Sequence, residues 1–288
     1  MGKPMAKNLL KAGYQLVVYS RRRASVDELL AAGAQPARSS REVAERSEAV
    51  ITMLPNSPEV REVILGKEGV LEGAKPGSVI IDMSSIAPLV SMEIAKVAAA
   101  KGVYMLDAPV SGGEPGAIQR TLSIMVGGNQ EQFDACYDLL KAMGSSVVRV
   151  GEIGSGNVAK LANQVIVALN IAAMSEALVL GTKAGLDPNV MYEAIKGGLA
   201  GSHVLDAKVP LVVNRKFDPG FRINLHIKDL ANVLETSHQL GIPLPLTASV
   251  LEMMQALKVD GHGDEDHSAL VKFYEKLSQV VVQPLAKA

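Results

Sequence analysis

Cysteine is almost missing from this sequence, and tryptophan is missing altogether. The lone Cys136 cannot close an internal disulfide or build a thiolate-rich zinc centre, and it suits a reducing compartment. With aromatic residues at 3%, stacking platforms for single-stranded nucleic acid are not expected. An excess of one charge is lacking as well. The 29 Lys and Arg stand against 30 Asp and Glu, so the basic surplus that nucleic acid or an anionic membrane demands is absent. The longest apolar stretch, Val158 to Leu180, is broken by Lys160, Asn163, Gln164, Asn170, Ser175 and Glu176, too many polar groups for a membrane span. The first ten residues have no apolar signal core, and Ala6 stands where a myristoylation motif wants Ser or Thr. A soluble, cytoplasmic protein is expected.

What is there points to an α/β enzyme. The 288 residues suffice for about two domains. Up to residue 150, short β-branched runs alternate with helical patterns. Leu16–Tyr19, Ala49–Met53, Ser78–Ile81, Tyr104–Leu106, Leu122–Val126 and Val147–Val150 read as strands. Val26–Ala32, Ser57–Leu65, Ser91–Lys101 and Gln130–Met143 read as helices. This rhythm predicts a Rossmann-type, doubly wound parallel sheet. From Gly156 to about Ala184 a single helical pattern runs for roughly 30 residues, about 45 Å at 1.5 Å per residue. Only helical patterns follow. The expected division is therefore residues 1–152, a dinucleotide-binding domain, and 153–288, an all-helical domain entered through a long interdomain helix.

The chain opens directly on a helical pattern, whereas a dinucleotide-binding fold starts with a strand and a Gly-x-Gly-x-x-Gly turn. Gly2 occupies the place of the third glycine, with Met1 before it. The first strand is thus expected to be truncated, and cofactor binding by the shortened turn to be poor.

The segment Gly151-Glu-Ile-Gly154-Ser-Gly156-Asn-Val-Ala-Lys160-Leu-Ala-Asn163 places Lys160 and Asn163 three apart on one helix face. A desolvated ammonium can protonate a developing alkoxide. The same spacing also describes a solvated lysine beside a capping loop. Asp107-Ala-Pro-Val-Ser111-Gly112-Gly113 follows a strand. Its backbone N–H groups and the Ser111 hydroxyl can hold a carboxylate, although an ordinary Ser-Gly-Gly turn reads identically. After the second strand, Ser20-Arg21-Arg22-Arg23 lacks the carboxylate that holds a ribose 2′-hydroxyl, and a hydroxyl with guanidiniums suits a 2′-phosphate. Leu54-Pro55 and Ser84-Ser85 also follow strands, where ligands collect in such sheets. Lys228-Asp229 is either a placed cation with its partner or a surface pair. The run His262-Gly-Asp264-Glu-Asp266-His267 has no metal-ligand spacing and reads as a solvated loop; no metal site is expected.

Together these motifs resemble the β-hydroxyacid dehydrogenase family along essentially the whole chain. The family's Asp-x-x-x-Ser-Gly-Gly pattern appears at Asp107–Gly113, and Gly-x-x-Gly-x-Gly-x-x-x-Lys-x-x-Asn at Gly151–Asn163. Lys228-Asp229-Leu230 matches a third pattern, with Val233 and Glu235 standing where Ala and Asp are usual. The resemblance implies a catalytic Lys160 and a substrate-orienting Asn163. It implies a carboxylate cradle of Ser111, Gly112 and Gly113, and Lys228 close to the reaction centre. Met1, Gly2, Ser20, Arg21, Leu54, Pro55, Ser85 and Lys228 become cofactor contacts. The cofactor is NAD or NADP, with Ser20 in place of an Asp favouring NADP(H). The expected substrate is a small carboxylate-bearing aldehyde or hydroxyacid, and the expected assembly a homodimer or homotetramer.

Overall fold

A computed structural model describes residues 1–285; the last three residues of the expected second domain lie outside the described residues. Two compact units are present, Met1–Leu161 and Ala162 onward. The division between these units falls inside a helix.

The first unit begins with α1 (Gly2–Lys11), whose Met5 and Leu9 are buried. A two-stranded parallel sheet follows, β1 (Val17–Val18) and β2 (Gln35–Pro36), with α2 (Arg23–Ala31) between them. Next come α3 (Ser40–Glu45), β3 (Ala49–Thr52), α4 (Ser57–Leu65), α5 (Val70–Gly73), β4 (Val79–Asp82), α6 (Pro88–Ala100) and β5 (Tyr104–Asp107). β6 (Val110–Ser111), α7 (Gly113–Gln119), β7 (Leu122–Gly127), α8 (Gln130–Lys141) and β8 (Gly144–Gly151) complete it. The six-stranded sheet runs β3-β4-β5-β7-β6, with β8 on β7.

The α/β class and a mainly parallel sheet are as expected, and two details add to them. β1 and β2 form a sheet of their own, and β7 runs antiparallel to β5 and β6. The antiparallel turn arises where α7, only seven residues long, replaces a full crossover helix. The short α3 was not expected, although Ser39 and Glu42 form a capping arrangement legible in the sequence: Ser39 Oγ accepts the Glu42 N–H, and Glu42 accepts the Arg38 N–H. β4 is buried on both faces, as a central parallel strand requires, and its residues feed two apolar clusters, one on each side of the sheet.

The long helix α9 (Ser155–Lys183) is apolar and long enough to cross a membrane, and a little under half of its apolar stretch is buried inside the fold. Ala168, Ile171, Ala172, Leu178 and Val179 recur at helical spacing and are buried. The second unit adds α10 (Pro188–Ile195), α11 (His203–Val213), α12 (Ile223–Gln239), α13 (Pro245–Val259) and α14 (Val271–Ser278). No named strand occurs among its described residues.

The expected solvated loop at 262–267 needs correction at its end. Asp266 is fully buried and His267 nearly so. Asp266 takes Lys208 Nζ at 3.0 Å and the N–H groups of Gly220, Phe221 and Ser268. Burial alone pushes this carboxyl up, but the His267 and Lys208 charges and the Ser268 bonds win and hold it at about 2. A polar sequence run hides such a hub because most of the partners come from two distant segments, around Lys208 and around Gly220.

Candidate active site

The row of cross-strand neighbours at the ends of β3, β4 and β5 organises the candidate site. Thr52 pairs with Asp82, Asp82 with Asp107, Asp107 with Gly127, and Gly127 with Gly151. Thr52 Oγ1 donates to Asp82 Oδ1 at 2.8 Å. Asp107 is completely buried and reaches past the sheet to the start of α9. Its Oδ1 accepts the Gly154 N–H and its Oδ2 the Asn157 N–H, each at 2.7 Å. A carboxylate on the first-turn amides satisfies donors that a helix otherwise leaves open, and it lies at the positive end of the helix dipole. Burial pushes the Asp107 carboxyl up to about 6; the two amide bonds oppose the shift and neighbouring Asp82 adds to it.

This contact explains two glycines around the lysine motif. A Cβ on Gly127 would collide with Asp107 Oδ1, and one on Gly156 would collide with the Asp107 carbonyl oxygen. Backbone and carboxylate approach so closely that no side chain fits.

The same helix start gathers the other loops. Asn157, fully buried, accepts the Ile86 N–H at 3.0 Å and donates to Ser91 Oγ at 3.1 Å. Ser84 Oγ accepts the Leu54 N–H at 2.9 Å. The loops after β3 and β4, carrying Leu54, Pro55 and Ser85, are thus tied to each other and, through Ile86, to α9. The β5 loop carrying Ser111, Gly112 and Gly113 is tied to α9 through Asp107. Asp107, Asn157 and Ser84 were given no role of their own from the sequence, although each lies within a quoted motif. Their common signal was a short polar residue at or just beyond a strand or helix end.

Lys160 is 6% exposed, so the solvated-lysine alternative is excluded. Ser111 is half-buried, and Gly112 and Gly113 adopt φ of +128° and +62°, which only glycine accepts readily. Ser20 and Arg21 are exposed beyond β1, and Ser20 Oγ accepts the Arg22 N–H at 3.2 Å. Among the described residues, no hydrogen bond links Ser20 or Arg21 to the α9 cluster. Met1 and Gly2 are exposed at the start of α1, which no side chain caps. A Cβ on Gly2 would meet only Met53, at 3.8 Å.

In the second unit, Asn163 is half-buried and Lys228 lies beside the buried Asp229, Nζ to Oδ1 2.6 Å. The Lys228-Asp229 pair is therefore no exposed surface pair. Gln164 joins it, donating from Nε2 to Asp229 Oδ2 at 2.5 Å and accepting from Asn163 Nδ2 at 2.9 Å.

Comparison with known proteins agrees with both halves. The profile of the NAD binding domain of 6-phosphogluconate dehydrogenase matches residues 1–151, and that of NADP-dependent 3-hydroxyisobutyrate dehydrogenase matches residues 154–274. The chain is 42% identical to 2-hydroxy-3-oxopropionate reductase of Escherichia coli, covering 96% of this chain and 95% of that protein. It is 40% identical to 2-(hydroxymethyl)glutarate dehydrogenase of Eubacterium barkeri, covering 98% and 94%. Among solved structures, 3-hydroxyisobutyrate dehydrogenase of Mycobacterium tuberculosis with L-serine superimposes with a TM-score of 0.88 at 31% identity, covering 95% of each chain. The chain belongs to the β-hydroxyacid dehydrogenase family and is an NAD(P)-dependent oxidoreductase.

Proposed function

We propose that this chain reduces tartronate semialdehyde (2-hydroxy-3-oxopropanoate) to D-glycerate, with Lys160 as proton donor. The observation that carries the reading is the burial of Lys160 on a helix start that Asp107 pins to the Ser111 loop. The 42% identity to a 2-hydroxy-3-oxopropionate reductase supports the choice of semialdehyde.

The residues fit a nicotinamide dinucleotide. The uncapped start of α1 at Met1 and Gly2 offers backbone N–H groups suited to a pyrophosphate. Ser20 and Arg21 offer a hydroxyl and a guanidinium where a carboxylate would repel a 2′-phosphate, which favours NADP(H). Leu54, Pro55, Ser85 and Lys228 complete the set of proposed contacts. When bound, the reduced nicotinamide supplies the hydride.

This chain's own residues do the rest. The Ser111 hydroxyl with the Gly112 and Gly113 amides grips the substrate carboxylate and fixes the reacting carbon. Asn163 orients the substrate. Lys160, held out of bulk water, gives its proton to the aldehyde oxygen as negative charge develops there, so that oxygen becomes the product hydroxyl. Residues 1–152 form the cofactor-binding domain in this reading and 153–288 the helical domain. The enzyme works in the cytoplasm as a homodimer or homotetramer.

Steady-state rates on a panel of small semialdehydes and hydroxyacids, each with NADH and NADPH, test the assignment. The highest kcat/KM is expected for tartronate semialdehyde. A clear preference for 2-(hydroxymethyl)glutarate or 3-hydroxyisobutyrate would replace it by the activity named for another relative.

A further inference from the structure

Four side chains of the second unit form one polar line: Asn163, Gln164, Asp229 and Lys228. Gln164 is 3% exposed and Asp229 1% exposed, so neither has bulk water as an alternative partner. Such a line has a direction. An ionised Asp229, beside the Lys228 ammonium at 2.6 Å, only accepts hydrogen bonds. Gln164 must therefore turn its amide NH2 toward Asp229, and it does so at 2.5 Å. The opposite flip would set the amide oxygen against a carboxylate oxygen, in a dry site where like polarity costs most. With its nitrogen committed, Gln164 presents its oxygen to Asn163. Asn163 answers with Nδ2 at 2.9 Å. Its own Oδ1 is thereby turned away from the line.

We propose that Gln164 is a positioning residue that fixes the polarity of the Asn163 carboxamide, so that Asn163 meets the substrate with its carbonyl oxygen and accepts the hydrogen bond of a 2-hydroxyl. The inference rests on the proposed placement of Asn163 at the substrate and deepens it. The chain selects semialdehydes that carry a hydroxyl beside the carboxylate over those that carry hydrogen there. A buried acceptor that loses its donor is left unpaired, which is how a protein rejects an analogue lacking one hydroxyl.

The test compares 2-hydroxy-3-oxopropanoate with 3-oxopropanoate, which differ only in that hydroxyl. Gln164→Leu removes both ends of the link at similar volume and frees Asn163 to turn over. The expected result is a loss of at least about tenfold in the wild-type kcat/KM ratio between the two substrates. An equal loss on both substrates, or an unchanged ratio, overturns the proposal.

Gln164→Glu supplies a second arm that needs neither substrate nor cofactor. A protonated carboxyl at this position reproduces the line, with its O–H toward Asp229 and its carbonyl toward Asn163, whereas an ionised one opposes Asp229. Among the described residues, Asp229 and Lys228 on α12 join this position through the polar line, and Lys160 precedes it by one turn on α9. His226 also faces it, with Nε2 3.5 Å from the Gln164 carbonyl oxygen and with His267 behind it. Thermal melts of the unliganded variant should approach the wild type at about pH 5.5 and fall away from it by about pH 8. A difference that does not change with pH overturns the polar line itself. Should the wild type reduce neither semialdehyde, the assignment of substrate fails, and the melts still decide the line.

Discussion

The Asp107 carboxylate accepts the backbone N–H of Asn157 at 2.7 Å, across fifty positions of sequence. Through this bond, and its twin to Gly154, the strand that leads to Ser111 is tied to the start of the helix that carries Lys160. A proton donor and a carboxylate-gripping turn gain nothing from proximity unless their supports are fixed, and here the support is a buried carboxylate on helix amides.

Removing that carboxylate should therefore damage the fold before it touches the chemistry. Asp107→Ala leaves two buried N–H groups unsatisfied, at about 1–3 kcal/mol each. Urea unfolding is expected to show a loss on the order of 2–5 kcal/mol.

Asp107 also makes a pH prediction with a definite sign. Its folded pKa of about 6 lies above the ordinary 3.8, so its protonated form is favoured by folding. The stability it contributes is fully present below pH 3.8 and is lost as pH rises through about 6. Asp107→Asn should flatten the stability profile between roughly pH 4 and 6. An unaltered profile in that range would place the titration on another group.

Gly127 and Gly2 should respond oppositely to alanine. At Gly127 the new Cβ would run into Asp107 Oδ1 and sit 2.7 Å from the Gly156 nitrogen, with backbone on both sides. Gly127→Ala is expected to cost more than about 3 kcal/mol or to prevent folding, as overpacking at its severest does. Gly2→Ala, facing only Met53 at 3.8 Å at a helix start, should leave the melting temperature unchanged or slightly raised.

Lys160→Ala should lower kcat by about 10²–10⁴-fold, the usual worth of a positioned general acid. Cofactor affinity, measured by fluorescence titration, should stay near that of the wild type. Near-normal turnover with intact binding would remove Lys160 from the proton-transfer step.

Lys208 and Asp266 are predicted to matter far more than any ion pair on the surface. Asp266 is fully buried with four donors around it, and Lys208→Met strips it of an ammonium 3.0 Å away. Breaking a buried pair from one side costs about 3–5 kcal/mol. Because Asp266 titrates at about 2, below its ordinary value, its contribution is present above pH 3.8 and is lost as pH falls through about 2. By contrast Lys276→Met, at an exposed lysine on the surface, should change unfolding free energy by less than about 1 kcal/mol.

Much of this protein was determined by local sequence. The alternation of β-branched runs with helical segments, the long apolar pattern of α9 and the spacing of Lys160 and Asn163 are all consequences of neighbours in the chain, and each is visible there. The short elements were not: β2 and β6 have two residues each, too few for any period to show. What only the tertiary structure decided is the row Thr52, Asp82, Asp107, Gly127 and Gly151, and the polar line from Asn163 to Lys228. Most of these partners are far apart in the chain, as Asp107 is from Asn157 and Gln164 from Asp229. They meet because strand register and helix packing are set by the burial of other, apolar side chains, and no local pattern around an aspartate or a glutamine records which partner that register will bring to it.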